Sequence, residues 1–215
     1  MTRAESAAAT RRALLDDAAE LLNSGGPDAV TLREVGARAG VSRGAPYRHF
    51  DNKDSLLISV AAEGWERLGD EMVALQAESG RPPLDTLRAA LRGILAVSRQ
   101  QPHLYQLMFN TPAGDTTAVV QAAERLCDGF LVIVAAVSGA QDAERYAATL
   151  LTAAHGAAGL ESSGLLTTDK WQTTAEELVE NFIGMIEQPP QPGITGGTKS
   201  NVMPSSQTST STTGK

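Results

Sequence analysis

An all-α fold is what this sequence predicts, and three observations carry it. Aromatic residues make up only 4% of the 215 residues while alanine is abundant. Runs of β-branched residues are few, so the types that favour strands are scarce. Apolar residues also recur at the three-, four- and seven-residue spacing of one helical face. A chain of this length, 42% hydrophobic and 20% charged, can bury a core in one medium domain or two small ones.

From Glu5 to Asn23 the residues Leu14, Ala18, Leu21 and Leu22 keep helical spacing, and "NSGGPD" is expected to stop that helix. In "VTLREV" that follows, Thr31 and Glu34 stand as a capping box, with Val30 and Val35 at the positions of a hydrophobic staple. A second helix therefore starts at Leu32. Gly40, the usual residue for a left-handed stop, ends it near Ala39. Ser42 offers a new N-cap, which gives a short helix, a glycine-containing turn and another short helix, the helix-turn-helix arrangement.

Two starts for that last helix are open. With Ser42 as cap, Arg43 is its first residue. Pro46 then removes only the first intrahelical bond, and its ring can meet Val41 as an apolar brace behind Arg43, Gly44 and Ala45. Alternatively the helix begins at Pro46 and residues 42–45 form an irregular turn, since the residue before proline avoids helical angles.

After "DNKD", the residues Leu57, Ala61, Gly64, Leu68, Met72 and Leu75 mark a longer helix that links two regions. Helices follow over 83–100, 102–110, 115–138, 141–162 and 171–188. Beyond Gln188 the chain is rich in Pro, Gly, Ser and Thr, and 189–215 reads as a disordered tail.

The formal charge is −7, yet its position matters more than its sum. Residues 31–53 hold five basic groups against two acidic ones, whereas 61–215 hold ten against seventeen. The acidity thus lies outside the helix-turn-helix. In that motif the second helix enters the major groove and neighbouring groups hold phosphates. Arg43 can fork onto guanine, and Gly44 and Ala45 let the backbone approach the bases. Tyr47, His49 and Lys53 suit phosphate, as does Thr31 at a helix start.

"VTLREVGARAGVSRGAPYRHFDNKDSLL", residues 30–57, closely resembles the DNA-binding domain of the tetracycline-repressor-like (TetR) family of bacterial regulators. The matching core is Gly40, Val41, Ser42, Gly44, Tyr47, His49, Phe50, Lys53 and Leu56. "LLTAAHGAAGLESSG" is similar to the W-H-G segment of one C-terminal subclass, with Ala154 in place of the tryptophan. The resemblance implies a homodimer that reads two half-sites of a pseudo-palindromic, double-stranded operator. It places a three-helix DNA-binding domain at 1–56 and a helical bundle for effector binding and dimerisation at 57–188. By position it adds Arg33, Ser42 and Arg48 to the DNA-facing set.

An effector-responsive regulator needs a mostly apolar cavity. The candidates are Trp65, Leu68 and Met72, then Leu104, Tyr105, Met108 and Phe109, then Cys127, Phe130 and Leu131; each also suits ordinary core packing. For the dimer, the family pattern points to the last two helices, with Leu150, Leu151, Ala154, Ala158, Leu178, Phe182, Met185 and Ile186 as apolar faces. Intramolecular packing is the alternative there. His155 is expected as a satisfied core histidine and Cys127 as a buried, inert thiol.

No catalytic motif, metal cluster or cofactor site is expected. H-E-x-x-H and G-x-S-x-G are missing, and "GITGGTKS" at 193–200 carries Thr198 where a phosphate loop needs glycine. One cysteine and no apolar leader suggest a reducing cytoplasm. The longest apolar run, "FLVIVAAV", has eight residues against the roughly 20 of a membrane helix, so no membrane partner is expected.

Overall fold

The computed structural model describes residues 2–187; the tail expected from 189 lies outside the described residues. Helix α1 spans Arg3–Ala29 and opens with a full capping box. The Glu5 N–H donates to Thr2 Oγ1 (3.2 Å) and the Thr2 N–H donates to the Glu5 carboxylate (2.7 Å). The helix does not stop at Asn23. It continues to a kink at Gly26, whose φ of 70° only glycine adopts freely, and a last turn starts at Pro27. The His103 ring fills the space a Cβ would take at Gly26, 3.3 Å away. The break therefore falls inside the "NSGGPD" stretch expected to stop the helix.

Helix α2 covers Leu32–Arg38. Thr31 caps it by accepting from the Glu34 N–H at 3.1 Å, but the reciprocal bond from the Thr31 N–H to the Glu34 carboxylate does not form, so half of the expected capping box is present. Val30 and Val35 are fully buried. Gly40, at φ 65°, ends the helix in a Schellman motif: the Gly40 N–H donates to the Ala37 carbonyl and the Val41 N–H to that of Gly36.

The segment after Gly40 follows the second of the two expectations. Ser42 makes no side-chain cap; its carbonyl accepts from the Ala45 N–H at 2.8 Å in a tight turn. Regular structure begins at Pro46, and it is a short 3-10 turn, Pro46–Arg48, closed by the His49 and Phe50 N–H groups on the Pro46 carbonyl. The reason lies in the missing Pro46 N–H, which leaves the Ser42 carbonyl free for Ala45. Ala45 itself is helical in φ and ψ, so the bias against helical angles before proline is not what interrupts the helix. The Pro46 ring is buried, and its Cγ lies where only hydrogen is tolerated on Gly36, 2.6 Å from an added Cβ. Its brace is therefore chiefly the α2 backbone, with Val41 beside it.

Asn52 and Ser55 cap each other reciprocally and start α3, Lys53–Ala77, a turn before the predicted position. The rest is α4 (Pro83–Gln100), α5 (Pro102–Phe109), α6 (Thr117–Ser138), α7 (Ala143–Ser162), α8 (Thr168–Trp171) and α9 (Ala175–Glu187). The helix predicted over 171–188 starts four residues later, as α9, with Trp171 closing α8. Gln172 takes a left-handed conformation after α8, and a Thr174–Glu177 capping box starts α9. α3 packs most extensively on α6, with α4, α5 and α7 around the pair and α9 against α7 and α4. Arg99 on α4 forks to Glu161 on α7 and Glu176 on α9. That guanidinium holds the Glu176 carboxyl below its ordinary range. Among the described residues no helix is long and apolar enough to cross a membrane.

Candidate DNA interface, effector cavity and dimer face

The segment from Thr31 to Lys53, which holds α2 and the turn before α3, is exposed at most of the expected DNA-facing positions. Thr31, Arg33, Ser42, Arg43, Gly44 and Arg48 are exposed, Tyr47 is 58% exposed, and His49 and Lys53 are half-buried. Ala45 departs from the expected set: at 7% exposure its methyl packs inward beside Pro46 and cannot meet a base. Charge is sorted along the same segment. Arg38 is held by Asp17 and Glu20, whereas Arg33, Arg43, Arg48 and Lys53 have no salt-bridge partner among the described residues. Four cations without partners, next to an exposed phenol, form a surface suited to a polyanion.

Behind α3 a small, partly enclosed cavity of about 140 Å³ lies between the helices of the second region. Of the predicted set, Trp65, Leu68, Tyr105, Phe109 and Cys127 line it. Met72, Leu104, Met108, Phe130 and Leu131 do not. Met72 packs on Gly129, Leu104 and Met108 close over Gly64, Phe130 is wholly buried, and Leu131 packs on the core. The remaining wall is Ile94, Leu126, Leu151 and His155.

His155 is exposed at its rim, not a core histidine. Its Nδ1 shares a 2.9 Å hydrogen bond with the Tyr105 hydroxyl, and its ring stacks on Phe109 at 4.1 Å. Burial pushes the Tyr105 phenol up to about 12. Cys127 is exposed as well; partial desolvation and the nearby Asp128 and Glu124 raise its thiol above the usual range, which leaves it unactivated. The signal that joins Leu151 to His155 is their one-turn spacing on α7.

The description "Bacterial regulatory proteins, tetR family" matches residues 14–60, and "Tetracyclin repressor-like, C-terminal domain" matches 87–186. The HTH-type transcriptional regulator BetI of Rhizobium meliloti (strain 1021) is 31% identical over 143 residues, 64% of this chain and 70% of BetI. The chain belongs to the TetR family. The HTH-type transcriptional repressor KstR of Rhodococcus jostii (strain RHA1) is 34% identical over 98 residues, 46% of this chain; the chain spans only 45% of KstR's length. A solved structure of a protein of unknown function from Rhodococcus sp. RHA1 superposes with a TM-score of 0.69 at 27% identity, covering 83% of this chain and 93% of that one.

The TetR-type dimer residues predicted on α7 and α9 divide by burial. Leu150, Ala154, Ala158 and Ile186 are buried within the single chain and cannot form an interface, and Leu151 faces the cavity. Leu178 and Phe182 are half-buried, and Met185 is 58% exposed. The open face of α7 carries Ala148, Thr152, Gly156 and Leu160 instead. Alanines occupy both sides of α7, so spacing alone did not reveal which side turns inward.

Proposed function

We propose that this TetR-family chain is a DNA-binding transcriptional regulator, a repressor released from a pseudo-palindromic operator by a small effector bound in the cavity. The observation that carries this reading is the set of four cations without salt-bridge partners around the α2 to α3 turn. KstR, to which the chain is similar, is named a repressor. Arg43 is assigned to a base edge, and Arg33, Tyr47, Arg48 and Lys53 to phosphates. The division at 56/57 is one of roles, since α3 runs through it unbroken. In a mobility-shift assay on DNA upstream of the chain's own gene, Arg43→Ala and Tyr47→Ala are each expected to weaken the complex at least tenfold, the loss of one good contact. Unchanged binding by both variants would refute the reading and leave a ligand-binding or scaffold protein without an operator.

A two-fold dimer places two such turns on half-sites about 34 Å apart. The open faces of α7 and α9, with Gly156, Leu160, Phe182 and Met185, are the proposed contact. Leu160 is 45% exposed and Met185 58%, so glutamate at both positions leaves the single chain's core intact. The double variant is expected to sediment as a monomer where the unaltered chain sediments as a dimer, and a dimeric variant would move the interface elsewhere.

A further inference from the structure

The cavity between α3, α5, α6 and α7 carries more than a location. Its volume, about 140 Å³, is close to that of a dry engineered cavity of about 150 Å³ that takes up benzene, and far below the roughly 300–1,000 Å³ of drug-sized sites. Its wall is formed by ring faces and aliphatic groups: Trp65 and Phe109 meet edge to face at 4.9 Å, and Tyr105 leans on Phe109 at 5.0 Å. The Trp65 indole N–H is already donated to the Met108 carbonyl at 3.2 Å. The polar edge that remains is the Tyr105 hydroxyl with His155 Nδ1.

Taking the cavity as the effector site proposed above, we propose that the effector is a compact aromatic molecule, a single six-membered ring bearing one neutral hydroxyl. The ring sits against Trp65 and Phe109, and its hydroxyl meets the Tyr105 and His155 pair. A phenol oxygen offers one O–H and two lone pairs, so Tyr105 keeps its bond to His155 and still accepts from the ligand. Since burial keeps that phenol protonated, the pair stays uncharged on the tyrosine side. Neither Lys nor Arg lines the cavity among the described residues, so a carboxylate would have only the Tyr105 and His155 edge to offset its desolvation. A long alkyl chain exceeds the volume of the cavity, and the adjoining groove over Val119, Val120 and Ala123, which shares Trp65, Phe109 and Cys127 with it, is open to solvent.

Titration calorimetry of the full chain tests this with three probes: 4-methylphenol, para-xylene, which has the same shape with the hydroxyl replaced by methyl, and decanoate. Binding of 4-methylphenol is expected to be about tenfold tighter than that of para-xylene, the effect of one net hydrogen bond. Tyr105→Phe is expected to bring the two within about twofold and leave para-xylene unchanged. Equal binding of the two rings by the unaltered chain, tighter binding of decanoate, or no heat from any probe overturns the inference. If 4-methylphenol binds with the expected preference yet leaves the operator complex intact in a mobility shift, the ligand chemistry stands and the regulatory reading falls.

Discussion

Gly36→Ala is expected to lower the thermal midpoint by several degrees and to abolish operator binding at concentrations where the unaltered chain binds. A Cβ at this position falls 2.6 Å from Pro46 Cγ and 3.4 Å from its Cδ. A proline ring has no free rotamer to swing aside, so either α2 or the turn must shift. Overpacking of this kind costs about 1–3 kcal/mol, and each kcal/mol is worth about 2–4 °C in a chain of this size. Binding suffers more than stability because the displaced element carries Arg43, Tyr47 and Arg48. Calorimetry and a mobility shift read the two effects separately. Adding Pro46→Ala should recover much of the loss, a non-additive cycle that isolates the contact. A Gly36→Ala chain with unchanged midpoint and affinity would remove Pro46 as the brace of the DNA-facing turn.

Operator affinity is expected to fall by about three decades between ~50 and ~200 mM salt, because a dimer that uses Arg33, Arg48 and Lys53 engages about six phosphates. Arg48→Ala should make the slope of log K against log salt shallower by about 1.8, two phosphates being lost per dimer. Arg38→Ala is the informative control. Its guanidinium is spent on Asp17 and Glu20, so its loss should leave the slope unchanged. A shallower slope for Arg38→Ala, or none for Arg48→Ala, would show that the ion pairs do not sort the cations as described.

What the sequence disclosed follows from how local each feature is. Pro83, Pro102 and Gly40 fix helix ends through their own backbone chemistry, and α4, α5 and the α2 stop fall at or within a residue of expectation. Gly26 and Pro27 break the first helix inside the expected "NSGGPD" stop, and what the sequence did not show is the further helical turn that follows the break. The cations around the α2 stop stood out because charge is dense on a short stretch, whereas the burial of Ala45 is set by packing that a small residue does not announce in sequence. The cavity was half legible. Trp65, Tyr105 and Phe109 are large and apolar in a way that marks them, but so are Met72 and Phe130, and only packing tells a wall from a core. His155 became meaningful once Tyr105 was seen to lie within 2.9 Å of it.

The unbroken run of α3 makes it a lever. It carries Lys53 at one end and Trp65 and Leu68 in the cavity wall. Twelve residues separate Lys53 from Trp65, about 18 Å of rigid helix at 1.5 Å per residue, so a tilt of about 10° at the cavity sweeps Lys53 through about 3 Å. On the proposed assignments, a molecule no larger than one ring would need to move nothing far in order to take Lys53 off a phosphate.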